Sequence, residues 1–173
     1  MPFVHVCPLS KVAATVAASG ASHLVSLIND ATPVARPETI AAANHLFLGI
    51  NDITEAQEGM ILPGEEHVRR LVDFAEAWDR ERPIVVHCFA GISRSTAAAF
   101  ITLCVVRPQR DEAEVAQRLR RASRFATPNA RLVAIADDVL GRSGRMVDAI
   151  TAIGRGEIAM ESVPFALAIE ERQ

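Results

Sequence analysis

The sequence predicts an α/β fold: a single domain built on a mainly parallel, twisted sheet of about four or five strands flanked by helices. Two observations carry this. Short, β-branched apolar runs alternate along the chain with longer stretches of helical spacing. At 173 residues, half of them hydrophobic, the chain suits one core, spanning 1–173. Residues 142–173 read as a C-terminal extension packed on that domain, because their apolar positions have the helical spacing typical of core. The sharper alternative is that the extension borders a pocket or makes a dimer contact.

Taken in order, strands are expected at 3–6, 23–28, 45–50 and 84–87. Helices are expected at 10–18, 64–79, 95–106, 110–122, 129–140 and 144–153. Pro63 and Gly64 punctuate the entry to the second helix, and Gly141 ends the fifth. Pro128 and Asn129 stand where a first-turn proline and a capping side chain belong. Trp78 is expected to pack its helix on the core. The cluster Arg118, Arg120, Arg121 and Arg124 reads as a solvated helix end, its cations suited to the C-terminal dipole.

Composition narrows the function. A net charge of −3 and a pI near 6.0 argue against a general nucleic-acid binder. No run of eighteen apolar residues is present, so no membrane span or membrane partner is expected. The first residues lack the basic and apolar regions of a secretory signal. Three cysteines, Cys7, Cys88 and Cys104, make no even disulfide framework and no zinc spacing. A reducing cytoplasm fits, and no metal or cofactor is called for. His5, His23, His45 and His67 have no metal-ligand spacing and are read as structural or surface residues. The sequence carries no signal for an oligomeric state.

One segment concentrates the chemistry: His87-Cys88-Phe89-Ala90-Gly91-Ile92-Ser93-Arg94-Ser95. It runs from a predicted buried strand into an alanine-rich helix. The first N–H groups of a helix lack intrahelical partners and carry the positive end of its dipole, so the turn is a natural anion site. Gly91 lets successive amides converge, and Arg94 adds a planar fork for two phosphate oxygens. The same surroundings favour the thiolate of Cys88, the nucleophilic form. Ser95 is placed to donate a hydrogen bond to that sulfur.

These residues resemble the signature loop of the cysteine-dependent protein tyrosine phosphatase superfamily, H-C-x-x-G-x-x-R-[ST], in its compact, dual-specificity-like branch. His87, Cys88, Gly91, Arg94 and Ser95 match its fixed positions. The resemblance runs from about residue 23 to 140. It implies a metal-independent phosphatase for phosphotyrosine, with phosphoserine and phosphothreonine as further candidates, working through a cysteinyl-phosphate intermediate. Cys88 would be the nucleophile and Arg94 the phosphate binder. Ser95 would assist thiolate departure, and the backbone of Phe89, Ala90, Gly91, Ile92, Ser93 and Arg94 would cradle the anion. His87 would support the loop by hydrogen bonds.

The resemblance also implies a general acid. Asp52 lies just past the predicted strand 45–50, thirty-six positions before Cys88, where strand ends of a parallel sheet gather. Asp30, Glu55 and Glu58 are the alternatives, and an Asn-Asp pair is also a common turn. Asn129 is assigned a supporting, structural role. The variable loop positions Phe89, Ala90, Ile92 and Ser93 are uncharged, which argues against highly phosphorylated inositols and suits an aromatic ring. The expected partner is a phosphorylated protein or a small phosphomonoester. Competing readings are a catalytically silent module that binds a phosphorylated partner and an anion-loop enzyme of sulfur transfer or arsenate reduction.

Overall fold

The computed structural model describes residues 2–170, and its first four strands form where the short apolar runs predict them. They are β1 (Phe3–Pro8), β2 (His23–Ile28), β3 (His45–Gly49) and β4 (Ile84–Cys88). These four pair with one another in parallel. A fifth strand, β5 (Phe165–Ala168), runs antiparallel along the free edge of β1. The sheet order is β3-β2-β4-β1-β5. The chain visits β1, β2 and β3 before inserting β4 between β2 and β1. The carboxyl end of β4 therefore opens at a crossover point of the sheet, where α/β folds place their ligand crevices.

Side chains alternate between the two faces. Val4, Val6, Val25, Leu27, Ile84 and Val86 point into the larger core cluster. Cys7, Leu24 and Val85 point the other way, onto Val12 and Val16 of α1 (Val12–Ser19) and onto Ile40. Helices cover both faces, which is why the strands read as near-continuous apolar runs. The larger face carries α2 (Glu65–Ala77), α3 (Arg94–Val106), α4 (Glu112–Ala122), α5 (Ala130–Val139) and α6 (Arg145–Ile153). Every residue of α3 except Val105 is buried, and Ala97, Ala98 and Ala99 belong to the same core cluster. Trp78 is fully buried at the end of α2, its indole N–H given to the carbonyl of Arg82.

Two features depart from the sequence reading. The extension contributes β5, and its Leu167 and Ile169 enter the core. Residues 171–173 of that extension lie outside the described residues. The arginine cluster is also not a solvated face throughout. Arg118 is buried and donates to the carbonyl of Ala168, while Arg120 donates to the carbonyls of Arg124, Ile153 and Gly154. These cations tie the extension down. Among the described residues no helix is long and apolar enough to cross a membrane.

Candidate active site

The segment 88–93 leaves the end of β4 and turns into α3, and the turn is set by where its carbonyl oxygens go. His87 Nδ1 lies 3.1 Å from the oxygen of Cys88. The Phe89 oxygen accepts from the Leu9 amide (3.0 Å) and the Ala90 oxygen from the Ser162 amide (2.9 Å). The Gly91 oxygen accepts from the Ser162 hydroxyl at 3.0 Å. The Ile92 oxygen accepts from the Thr127 amide and from Thr96 Oγ1. The Ser93 oxygen accepts from the Ala97 and Asn129 amides. All six carbonyls are thus claimed by residues outside the turn. Among the described residues, the amides of Phe89, Ala90, Ile92 and Ser93 are given to no protein acceptor. A buried acceptor held outward fixes its peptide plane, so the next N–H is turned the other way.

Gly91 makes the turn sterically feasible. Its φ is +72°, a region L side chains avoid. A β-carbon there would also meet Ser162 Oγ at 2.5 Å and the Pro8 nitrogen at 2.8 Å. The turn is therefore pressed between β1 and the extension.

Cys88 Sγ sits at its floor, 2% exposed, with the Gly91 amide at 3.3 Å and Ser95 Oγ at 3.1 Å. Both groups can donate to a sulfur anion. Arg94 is buried and anchored by a 2.8 Å bond from Nη1 to the Ile50 carbonyl. Its Nε is buried with no hydrogen-bond partner among the described residues. An orphan guanidinium donor at a loop of free amides is the chemistry of an oxyanion site. Phe89 stands at the rim, 60% exposed, with Ile92 and Ser93 half-buried beside it.

His87 is fully buried and belongs to a chain of polar contacts. Its Nε2 lies 2.6 Å from Ser26 Oγ, which lies 2.9 Å from His45 Nε2. Burial pulls its pKa down to about 4, so the ring is neutral at pH 7. A neutral ring can donate from Nδ1 to the Cys88 carbonyl only if Nε2 accepts from Ser26. This assigns the tautomer from the network.

Asp52 reaches the turn. Its Oδ1 accepts from Ser93 Oγ (2.7 Å) and from Asn129 Nδ2 (2.9 Å). Its Oδ2 has no hydrogen-bond partner among the described residues. Asn129 works at both ends of its amide, since its Oδ1 also caps α5 by accepting from the Leu132 amide. Asp30, by contrast, lies against Gly49, where a β-carbon would come within 1.6 Å of its Oδ1. Neither Glu55 nor Glu58, both exposed, makes a hydrogen bond or ion pair to the turn.

Sequence reasoning missed Ser162, Thr127, Thr96 and the Leu9 amide as supports of the turn. Only Thr96, one turn into the helix, carries a local signal. The other three arrive from distant segments. The two remaining cysteines are buried and poorly acidic. Burial pushes Cys7 up to about 11 and Cys104 up to about 12.

Comparison with known proteins agrees with this geometry. Residues 59–127 match the family model described as protein-tyrosine phosphatase. No curated protein sequence is matched. The fold is similar to that of the Cydia pomonella PTP-2 phosphatase, at 20% identity and a TM-score of 0.60, covering 78% of this chain and 84% of that one. It is also similar to DUSP15, at 18% identity and a TM-score of 0.60, over 88% and 91% of the two chains. Human DUSP28 matches at 16% identity and a TM-score of 0.61, over 86% and 94%. The chain thus resembles the cysteine-dependent protein tyrosine phosphatase superfamily, in its compact, dual-specificity-like form.

Proposed function

We propose that this protein-tyrosine-phosphatase-like phosphoric monoester hydrolase cleaves phosphotyrosine monoesters through a cysteinyl-phosphate intermediate. The observation that carries the reading is the thiol of Cys88 beneath a turn whose carbonyls all face away, beside an orphan Arg94 donor. In the first step the Cys88 sulfur attacks phosphorus and the bond to the leaving phenolic oxygen breaks. Asp52 Oδ2–H protonates that oxygen, so a neutral phenol departs. The amides of Phe89, Ala90, Ile92 and Ser93 and the free edge of the Arg94 guanidinium hold the equatorial oxygens as charge spreads over them. In the second step Asp52, now a carboxylate, takes a proton from water while its oxygen attacks phosphorus. The S–P bond breaks, inorganic phosphate forms, and the Ser95 hydroxyl donates to the departing thiolate.

Phe89 and Ile92 supply apolar contact for an aromatic ring at the rim. The uncharged loop positions give no cation for further phosphates on the same ring. A nucleophilic thiol and three free cysteines suit a reducing cytoplasm.

The test is hydrolysis of p-nitrophenyl phosphate and phosphotyrosine peptides in the presence of EDTA, with vanadate as inhibitor. Cys88→Ser should abolish turnover and keep vanadate or sulfate binding. Turnover surviving in that variant removes Cys88 as nucleophile. Asp52→Asn should slow alkyl phosphates by roughly a hundredfold or more and activated aryl phosphates far less, as expected for lost acid catalysis. Equal slowing of both would move the acid elsewhere.

A further inference from the structure

Between α6 and β5 the chain has no regular secondary structure, and this strap runs along the mouth of the site. It is fastened at both ends. Near its start the Gly156 amide donates to Thr127 Oγ1 at 3.0 Å, and the Glu157 amide to the Arg124 carbonyl at 2.9 Å. Near its end Ser162 holds the carbonyls of Ala90 and Gly91. Arg155 stands at the start of the strap, immediately before the first of these fastenings, and lines the site.

Two cavities meet there. One, of about 590 Å3, is lined by Asp52, Gln57, Ser93, Thr127, Thr151 and Arg155 among others. The second, of about 250 Å3, lies between Asp52, Ile92, Ser93, Ile158 and Arg155. Arg155 walls both and, among the described residues, is the one cationic residue in either lining. Its neighbours are spoken for: Arg120 donates to three carbonyls, and Arg124 pairs with Glu157 at 3.4 Å. The Arg155 guanidinium has no ion pair or hydrogen bond among the described residues. Its backbone is nonetheless fixed. A β-carbon on Gly156 would come within 2.6 Å of the Phe125 carbonyl and 2.7 Å of Arg120 Nη1, so the strap lies flat against the α4–α5 connection.

Resting on the phosphatase reading above, we infer that Arg155 binds a second anionic group of the substrate, the carboxylate of an acidic residue flanking the phosphotyrosine in a peptide. The two cavities share Asp52 and Ser93 with the phosphate turn, so a chain whose phosphate sits on that turn continues along them. A guanidinium presents a planar fork that a carboxylate fits with two parallel hydrogen bonds. Exposed apolar side chains stand on the turn and the strap: Phe89 on the turn, and on the strap Met160 (96% exposed) and Ile158 (91%), which lines the second cavity. They suit the aliphatic part of a peptide rather than a small phosphomonoester, which would fill the turn and leave Arg155 idle.

The test uses the full chain. Phosphotyrosine peptides carry glutamate, or glutamine in its place, one or two residues to either side. Binding is measured with the Cys88→Ser form, with and without Arg155→Gln, and kcat/KM with the active enzyme. At least one glutamate position should improve binding by roughly two- to fivefold, the scale of an exposed charged pair. Arg155→Gln should abolish that ratio, and Arg155→Lys should restore part of it. Each variant is its own reference, so a general loss of activity does not imitate the effect. A preference for glutamate that survives Arg155→Gln, or no preference at any position, overturns the inference. Turnover of p-nitrophenyl phosphate by the wild type, run alongside, reads the phosphatase activity separately. Its absence fails the underlying reading, whereas its presence without a glutamate preference fails the assignment of Arg155 alone.

Discussion

Acid should weaken this fold through one imidazole in particular. His87 is fully buried, hydrogen-bonded to Ser26, and poised 3.1 Å from the carbonyl of its neighbour Cys88. Burial lowers its pKa from 6.5 to about 4; the positive Arg94 and the nearby His45 act in the same direction, and the Cys88 carbonyl opposes them. The folded pKa lies below the unfolded one. The stability of the neutral ring is therefore fully present above pH 6.5 and is lost as pH falls through about 4. At about 1.4 kcal/mol per unit, the difference comes to about 3 kcal/mol, of which about 2 kcal/mol is gone by about pH 5. The assay is urea unfolding of the wild type and of His87→Gln across a pH series from neutral to mildly acidic. Other groups also titrate in this range, and burial lowers His5, His23 and His45 as well. The variant keeps those groups, so the difference between the two pH curves isolates His87. The wild type should lose about 2 kcal/mol more than the variant between neutrality and about pH 5. Parallel curves, or an NMR titration placing the folded His87 near its ordinary value, would refute the reasoning.

Two further predictions concern the surroundings of the turn. Ser162→Ala leaves the buried Gly91 carbonyl without its donor, which should cost about 1–3 kcal/mol of stability. The freed peptide plane should also weaken vanadate inhibition, and unchanged inhibition would show that the hydroxyl does not position the loop. Iodoacetate should label Cys88 alone in the native protein and be blocked by phosphate, because burial holds Cys7 near 11 and Cys104 near 12. Mass spectrometry of the labelled chain reads this directly, and modification of Cys7 or Cys104 before Cys88 would contradict it.

Most of the architecture was legible because its signals are local. The run 84–87 is β-branched and ends at the turn, and the alanine-rich stretch after Ser95 is a strong helix former. The place of Asp52 beside the turn was legible for a topological reason, since strand ends of a parallel sheet converge. What escaped came from partners far away in sequence. β5 is four residues long and follows Pro164, and β-pairing registers only when the edge of β1 is known. Its one local sign was the alternation of Phe165, Leu167 and Ile169, which matches a strand with one buried face. Arg118 and Arg120 read as solvated because a helix C-terminus welcomes cations. The carbonyls they bind belong to a segment whose path no local pattern revealed.

The turn also shows where a local rule is given up for the site. Ser93 stands at the N-cap of α3, and a serine there ordinarily accepts from the helix's own first amides, worth about 1 kcal/mol. Here its side chain makes no cap bond. Its hydroxyl is given to Asp52 at 2.7 Å, and Asn129, which does cap α5, gives its amide to the same oxygen. One helix thus loses its cap, and its N-terminal amides stay free to face an anion. The cap residue instead holds Asp52, the carboxyl proposed above as the general acid, beside the turn. A serine kept for stability alone would cap its helix. Its diversion to Asp52 links the turn to the proposed acid, so under the proposed mechanism replacing Ser93 by alanine should disturb the acid step more than the fold.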